Sequence, residues 1–267
     1  GGRGVLKGGS AWMPDNQING VDFVLPFRFS EGAWQLGTRG PISLRIAEVV
    51  NQVTVKNIAA DLQGAYPWSE NNPLLLSDVS ADLLGGKIIM QQLRMPQHDP
   101  ALLRVQNISS SELISAVNPK QFAMSGPVSG ALPLWLDNEK WIIKDGWLTN
   151  PGPMTLRIDK DTADAVVKDN MAAGAAINWL RYMEISHSWT KINLDNLGVL
   201  TMQSTVTGNS RVDGKVGTVN LNYTHEENVF TLWRSLRFGD NLQAWLEQNA
   251  ALPETHCPEG KECEEQQ

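Results

Sequence analysis

Four histidines, His98, His187, His225 and His256, are the side chains best able to bind a metal or move a proton, and their spacing argues against both. None stands with another His, a Cys or a carboxylate at the interval that puts two ligands on one helix face. Thr224-His225-Glu226-Glu227 comes nearest. It lacks the second His and reads as a solvated strand-to-helix junction, where the Glu pair suits a helix N-terminus. Ser129-Gly130 has no Gly two residues before the Ser, so it is not a nucleophile elbow. Gly214-Lys215-Val216-Gly217 lacks phosphate-loop spacing and has no Ser or Thr after its Lys. Asp159 and Asp161 could pair as acid and base, but capping a helix explains them better. No catalytic residue, metal site or cofactor is expected, and the chain is not expected to be an enzyme.

Cys257 and Cys263 flank Pro258-Glu259-Gly260-Lys261-Glu262, a turn-like stretch in the polar tail. A small disulfide loop fits and would imply an oxidising compartment such as the periplasm. The alternative is two free thiols in a disordered tail; a metal site would have only His256 beside them.

The elements that could position a site are mostly strands. Between Phe122 and Leu136 one phase reads Phe122, Met124, Val128, Leu132, Leu134 and Leu136, with Gly126 and Gly130 in the gaps. Such period-two alternation gives an extended strand with one apolar face. Pro127 and Pro133 each remove a ladder donor, which an edge or strongly curved strand tolerates better than the centre of a sandwich. A bent sheet is therefore expected, with an apolar face that something must cover. Similar alternation runs through Val21–Phe29, Ile42–Ile46, Val53–Val55, Val79–Leu83, Ile89–Met95, Met154–Ile158, Ile192–Leu194, Leu200–Val206 and Val219–Tyr223, with turn residues between, as in a meander.

Three helices are expected. Ser109-Ser110-Ser111-Glu112 offers a capping box before a short helix that Pro119 stops. Asp161 or Thr162 caps a second through Met183. A third, amphipathic, runs from about Asn228 to Gln248 with Val229, Leu232, Trp233, Leu236, Leu242, Trp245 and Leu246 on its stripe and a break at Gly239. The glycine-rich Gly1–Ser10 is expected to fray, and the acidic tail from Pro253 to be disordered. The division is 1–73, β-rich and continuous with the sheet; 74–227, the trough region; 228–250, the helix; and 251–267, the tail.

A chain of 267 residues can bury a sizeable core, yet only 19% are charged, 42% are hydrophobic and the net charge is −7. That balance argues against a non-specific nucleic-acid binder. No apolar run reaches the length of a membrane span, and no signal peptide is visible. The chain starts at Gly1-Gly2 without a Met and is expected to be a piece of a longer protein. Ten tryptophans fit core filling, with lining of a sugar or lipid surface as the alternative.

The order of these pieces resembles a known family. Leu84-Gly85-Gly86-Lys87-Ile88, Leu102–Ile108 leading to Leu113, and Met124-Ser125-Gly126-Pro127-Val128-Ser129-Gly130-Ala131-Leu132-Pro133-Leu134 are similar to the C-terminal region of AsmA-like proteins. Ile142–Leu148, Pro151-Gly152-Pro153 and Ile177–Tyr182 continue the pattern, and His225–Asp240 is its most specific part. The resemblance covers roughly Leu74 to Leu246 and is closest to the YdbH group, sometimes labelled a dicarboxylate-transport domain. No convergent arginines for two carboxylates support that label.

The resemblance implies a mainly β fold, a curved, taco-like open sheet with a few short helices. It also implies a periplasmic bridge: a parent anchored in the inner membrane at its N-terminus, spanning toward the outer membrane, that shields phospholipid acyl chains in an apolar trough. The partner it implies is a small outer-membrane lipoprotein (YnbE-like), here expected to add as a strand. The groove candidates are Phe23, Leu25, Phe27, Leu83, Ile89, Leu93, Phe122, Met124, Val128, Leu132, Leu134, Leu136, Leu200, Met202 and Val206. The partner-edge candidates are Val219, Leu221, Tyr223, Trp233, Leu236 and Trp245, with Val216–Tyr223 the expected edge strand. The competing readings are a carbohydrate-binding or adhesin-like β-solenoid and a structural β module without ligand.

Overall fold

The computed structural model describes residues 2–13, 16–50, 53–117, 122–161, 181–212 and 214–233. They form one antiparallel sheet of fifteen strands. The strands are β1 (Gly2–Met13), β2 (Asn16–Ser30), β3 (Ala33–Leu36), β4 (Ile42–Val50), β5 (Thr54–Tyr66), β6 (Leu74–Leu83), β7 (Gly86–Met95), β8 (Ala101–Ser109), β9 (Phe122–Ser125), β10 (Pro127–Leu134), β11 (Trp141–Thr149), β12 (Met154–Ile158), β13 (Tyr182–Asp195), β14 (Val199–Val212) and β15 (Lys215–Asn228). Two helices are described, α1 (Ser110–Val117) and α2 (Val229–Trp233).

The pairing reduces to a plain meander. β3 and β4 both sit between β2 and β5, so they share one row. β11 and β12 both border β13, and β9 and β10 border β12 and β11. Three collinear pairs thus turn fifteen strands into twelve rows, each beside its neighbours in sequence. β1 pairs only with β2 and β15 only with β14 among the described residues, so the sheet is open.

Curvature comes from residues that break the β alternation. Asn57, Asp78, Asn107 and Asp145 lie inside strands at φ between 49° and 58°. Asn and Asp enter this left-handed region more easily than other non-glycine residues. Register shifts mark all four sites, at Lys56/Ala59, Ala59/Asp61 (opposite Ser80 and Ser77), Val128/Gly130 and Ile143/Gly146, as expected of bulges that bend a strand. The amides displaced there find side-chain acceptors: Asn107 N donates to Ser129 Oγ at 2.9 Å and Asp145 N to Asn193 Oδ1 at 2.8 Å.

Of the stretch Phe122–Leu136, β10 is internal, between β8 and β11, whereas β9 pairs with β12 alone among the described residues. The stretch copes with its prolines by breaking at Gly126 (φ 108°) and by shifting register between Ala131 and Leu134, around Pro133. A Cβ at Gly126 would meet Pro153 O at 2.5 Å. Gly126→Ala is therefore expected to cost about 1–3 kcal/mol, read as a lower urea midpoint. Gly32→Ala, in the β2–β3 turn with nothing within 4 Å of the added Cβ, should cost less.

Several expectations are corrected. Gly2–Ser10 does not fray, because it pairs with β2. Tyr182 and Met183 open β13 instead of closing a helix, and Met183 is fully buried against Met154 and Ile185. His225-Glu226-Glu227 lies within β15, which runs to Asn228 before α2 starts; Asn228 Oδ1 accepts Thr231 N at 2.9 Å as the cap. The first helix begins as expected, with Ser109 Oγ accepting Glu112 N at 3.3 Å. Residues 162–180 and most of the third helix fall outside the described residues, as does the tail from Pro253.

Candidate functional site

Residues directly opposite in an antiparallel pair point to the same side of the sheet, so the register decides which side chains share a face. Leu6, Phe23, Leu44 and Ala60 form one cross-strand line. Leu62, Leu76 and Leu93 form the next, and Met90, Leu103 and Leu132 another. Leu134, Ile143, Leu194 and Leu200 carry the same face onward to β14. Two buried clusters lie on it, one around Met90, Leu93, Met95 and Ala101, the other around Met154, Met183 and Ile185. Most of its other side chains are only half-buried, as expected of a face covered by its own curvature rather than by a second layer.

Charge sits on the opposite face. Arg45 pairs with Asp61 at 3.2 Å, Lys87 with Asp82 at 3.6 Å and Lys191 with Asp145 at 3.3 Å. Exposed on at least one partner, these pairs contribute little stability and chiefly keep that side wet. Trp147 and Trp189 stack there, 4.9 Å apart and 9° from parallel. The hydrogen bond from Asn57 holds the Asp82 carboxyl below its ordinary range, tying the β5 kink to β6. On a connecting loop, the hydrogen bond to Glu70 raises the His98 pKa. This contact stabilises most below the usual His range and fades as pH rises through the raised value.

The register places Phe23, Leu25, Phe27, Leu83, Leu93, Met124, Val128, Leu132, Leu134, Leu200, Met202 and Val206 together on the apolar face. Phe122 pairs with Ile158, but its side chain is outside the described residues. Two candidates lie elsewhere. Ile89 stands opposite Ser80 and Arg104 on the charged face, because the alternation of β7 slips between Met90 and Leu93, beside the Asp78 kink. Leu136 lies past the end of β10, 59% exposed, with its amide donating to Gln97 Oε1. Sequence reasoning missed Leu44, Leu62, Leu76, Met90, Leu103 and Ile192 as residues of this face; Leu44 and Ile192 stand in visible alternation, whereas Met90 lies beyond the slip in β7.

Val219, Leu221 and Tyr223 lie on β15 at the same face. Fourteen contiguous pairs join β14 to β15 without a register shift, whereas β1, at the other edge, has two shifts. Trp233 ends α2, with its side chain outside the described residues. Leu236, Trp245, Cys257 and Cys263 also lie outside them.

This geometry defines a class: an open, single-layer β trough with one apolar face, whose charges face away from it as far as β14. The sequence profile described as "YdbH-like: Intermembrane phospholipid transport protein YdbH" matches residues 1–251. The chain belongs to the YdbH-like family, and the match takes in the first seventy residues, which carried only a generic β pattern. It is 81% identical over all 267 residues to the "Probable phospholipid transport protein YdbH" of Escherichia coli strain K12, and spans 30% of that protein's length. No solved structure matches. The family's description is of a transport protein, not of an enzyme class.

Proposed function

We propose that this chain is one segment of a periplasmic conduit that shields phospholipid acyl chains between the inner and outer membranes. One observation carries the reading: an apolar face continuous from β1 to β14, with the charged side chains of those strands turned to the other side. Each methylene exposed to water costs about 0.8 kcal/mol, so an acyl chain of about a dozen methylenes costs on the order of 10 kcal/mol to move uncovered. A continuous apolar surface removes most of that cost at every step and needs no specific polar contact. The parent is anchored in the inner membrane at its N-terminus, and a small outer-membrane lipoprotein adds to the free edge of β15. The family description favours this over a carbohydrate-binding surface. Mass spectrometry of organic extracts of the purified chain tests it: co-purifying phospholipid is expected, and its absence from chain purified without detergent would remove the reading.

A periplasmic setting also makes Cys257 and Cys263 a disulfide. Thiol titration of denatured, unreduced protein is expected to find no free thiol; two per chain would rule the bridge out.

A further inference from the structure

The apolar face changes character along the trough. At register-paired positions from β1 to β12 whose side chains are described, it presents apolar side chains and glycines, apart from Tyr66 at the end of β5. Hydroxyls enter at β13, with Ser188 opposite Val206 and Thr190 opposite Leu148. Ser204 of β14 stands between Thr190 and Tyr223, and Thr190 Oγ1 lies 2.9 Å from Ser204 Oγ. Charge arrives only on β15, with His225 and Glu227 in consecutive inward positions after Tyr223, and Lys215 at the strand's far end.

Tyr223, His225 and Glu227 form a hydrogen-bonded chain. The Tyr223 hydroxyl is 3.1 Å from His225 Nδ1, and His225 Nε2 is 3.1 Å from Glu227 Oε2. With Nε2–H donating to the carboxylate, Nδ1 accepts from the phenol, and one imidazole links an acidic group to a row of hydroxyls. Glu227 Oε1 has no partner among the described residues. His225 and Glu227 keep side-chain exposures of 37% each, and their register partners are Met202 and Leu200 of the apolar face. Carboxylate, imidazole and hydroxyls therefore stand directly beside the surface on which acyl chains would lie.

We infer that Tyr223, His225 and Glu227, with the Thr190–Ser204 pair, form a headgroup site at the C-terminal end of the trough that takes a zwitterionic, ammonium-bearing phospholipid. The inference rests on the conduit reading above. The carboxylate of Glu227 accepts from the ammonium. The phosphate lies toward the hydroxyls of Tyr223, Ser204 and Thr190, about one imidazole width away. Acyl chains remain on Leu200 and Met202. An anionic phosphoglycerol headgroup lacks the cation and would bring a second negative charge toward Glu227.

Native mass spectrometry of this chain tests the site, after incubation with an equimolar mixture of phosphoethanolamine and phosphoglycerol lipids of identical acyl chains. The wild type is expected to favour the phosphoethanolamine lipid about threefold, a preference within reach of a partly exposed ion pair. Glu227→Gln and His225→Gln should bring the ratio to about one. Glu226→Gln, on the opposite face of the same strand, should keep the preference. Normal loading without preference in the wild type, or a preference that survives Glu227→Gln, overturns the headgroup site and leaves the conduit standing. A wild type that binds no lipid overturns the conduit, and the site falls with it.

Discussion

Leu132→Asp in the parent protein is expected to cut phospholipid transfer at least tenfold while the chain still folds. Leu132 lies on the apolar face in line with Met90 and Leu103, and is half-buried rather than enclosed. In the empty trough a carboxylate there can reach water, so the loss of stability stays within about 0.5–3 kcal/mol, the ordinary range for a substitution. A passing acyl chain displaces that water and leaves the charge against hydrocarbon, a cost of several kcal/mol; a 1.4 kcal/mol rise in a barrier already means a tenfold loss of rate. Leu134→Asp should behave likewise. The comparison is Met183→Asp, at a fully buried position, which should unfold the chain. Circular dichroism separates the outcomes. A folded Leu132→Asp variant with normal transfer removes the trough from the lipid path, and an unfolded one makes Leu132 part of a closed core.

Proline at β15 is expected to abolish partner binding with the sheet intact. Adjacent residues of a strand direct their amides to opposite edges, so of Leu221→Pro and Asn222→Pro one puts its ring on the free edge. That variant should lower affinity for the added strand at least tenfold, because it removes an edge donor and crowds the incoming backbone. The other breaks a bond to β14 and should mainly destabilise the last hairpin. Leu221→Ala, which trims the side chain and keeps the amide, should still bind. Pull-down of the proposed lipoprotein partner, beside thermal melts of each variant, gives the answer; wild-type binding by both proline variants with the fold intact would exclude β15 as the docking edge.

Most of the trough was legible because a one-sided sheet writes its face into the sequence with period two. Phe23, Leu25 and Phe27 fell into phase, as did Leu200, Met202 and Val206. Legibility failed where the backbone leaves the β region. Ile89 shares the odd phase of Leu93 and Met95 in the sequence, but a slip in β7 that no residue type of that strand announces lies between them. Asn57, Asn107 and Asp145 read as ordinary polar strand residues, although they carry the bulges. His225 and Glu227 read as a solvated strand-to-helix junction because charge in the inward phase hides the alternation that runs through Val219, Leu221 and Tyr223. The row of Phe122–Leu136 reads as bent from its glycines and prolines, but its pairings, β10 with β8 and β11 and β9 with β12, come only from the fold.

The strictly sequential order of rows also makes the molecule a ruler. Neighbouring strands are about 4.8 Å apart, so eleven steps between twelve rows place the first and last strands on the order of 50 Å apart, measured along the curve. Each row hydrogen-bonds only to the one before and the one after, so stability is largely a sum of nearest-neighbour terms, as in repeat proteins. Inserting or deleting one hairpin would change the reach by about 10 Å without recasting any other contact. A gap of changing width could thus be matched by altering the count of hairpins, leaving the cross-section untouched.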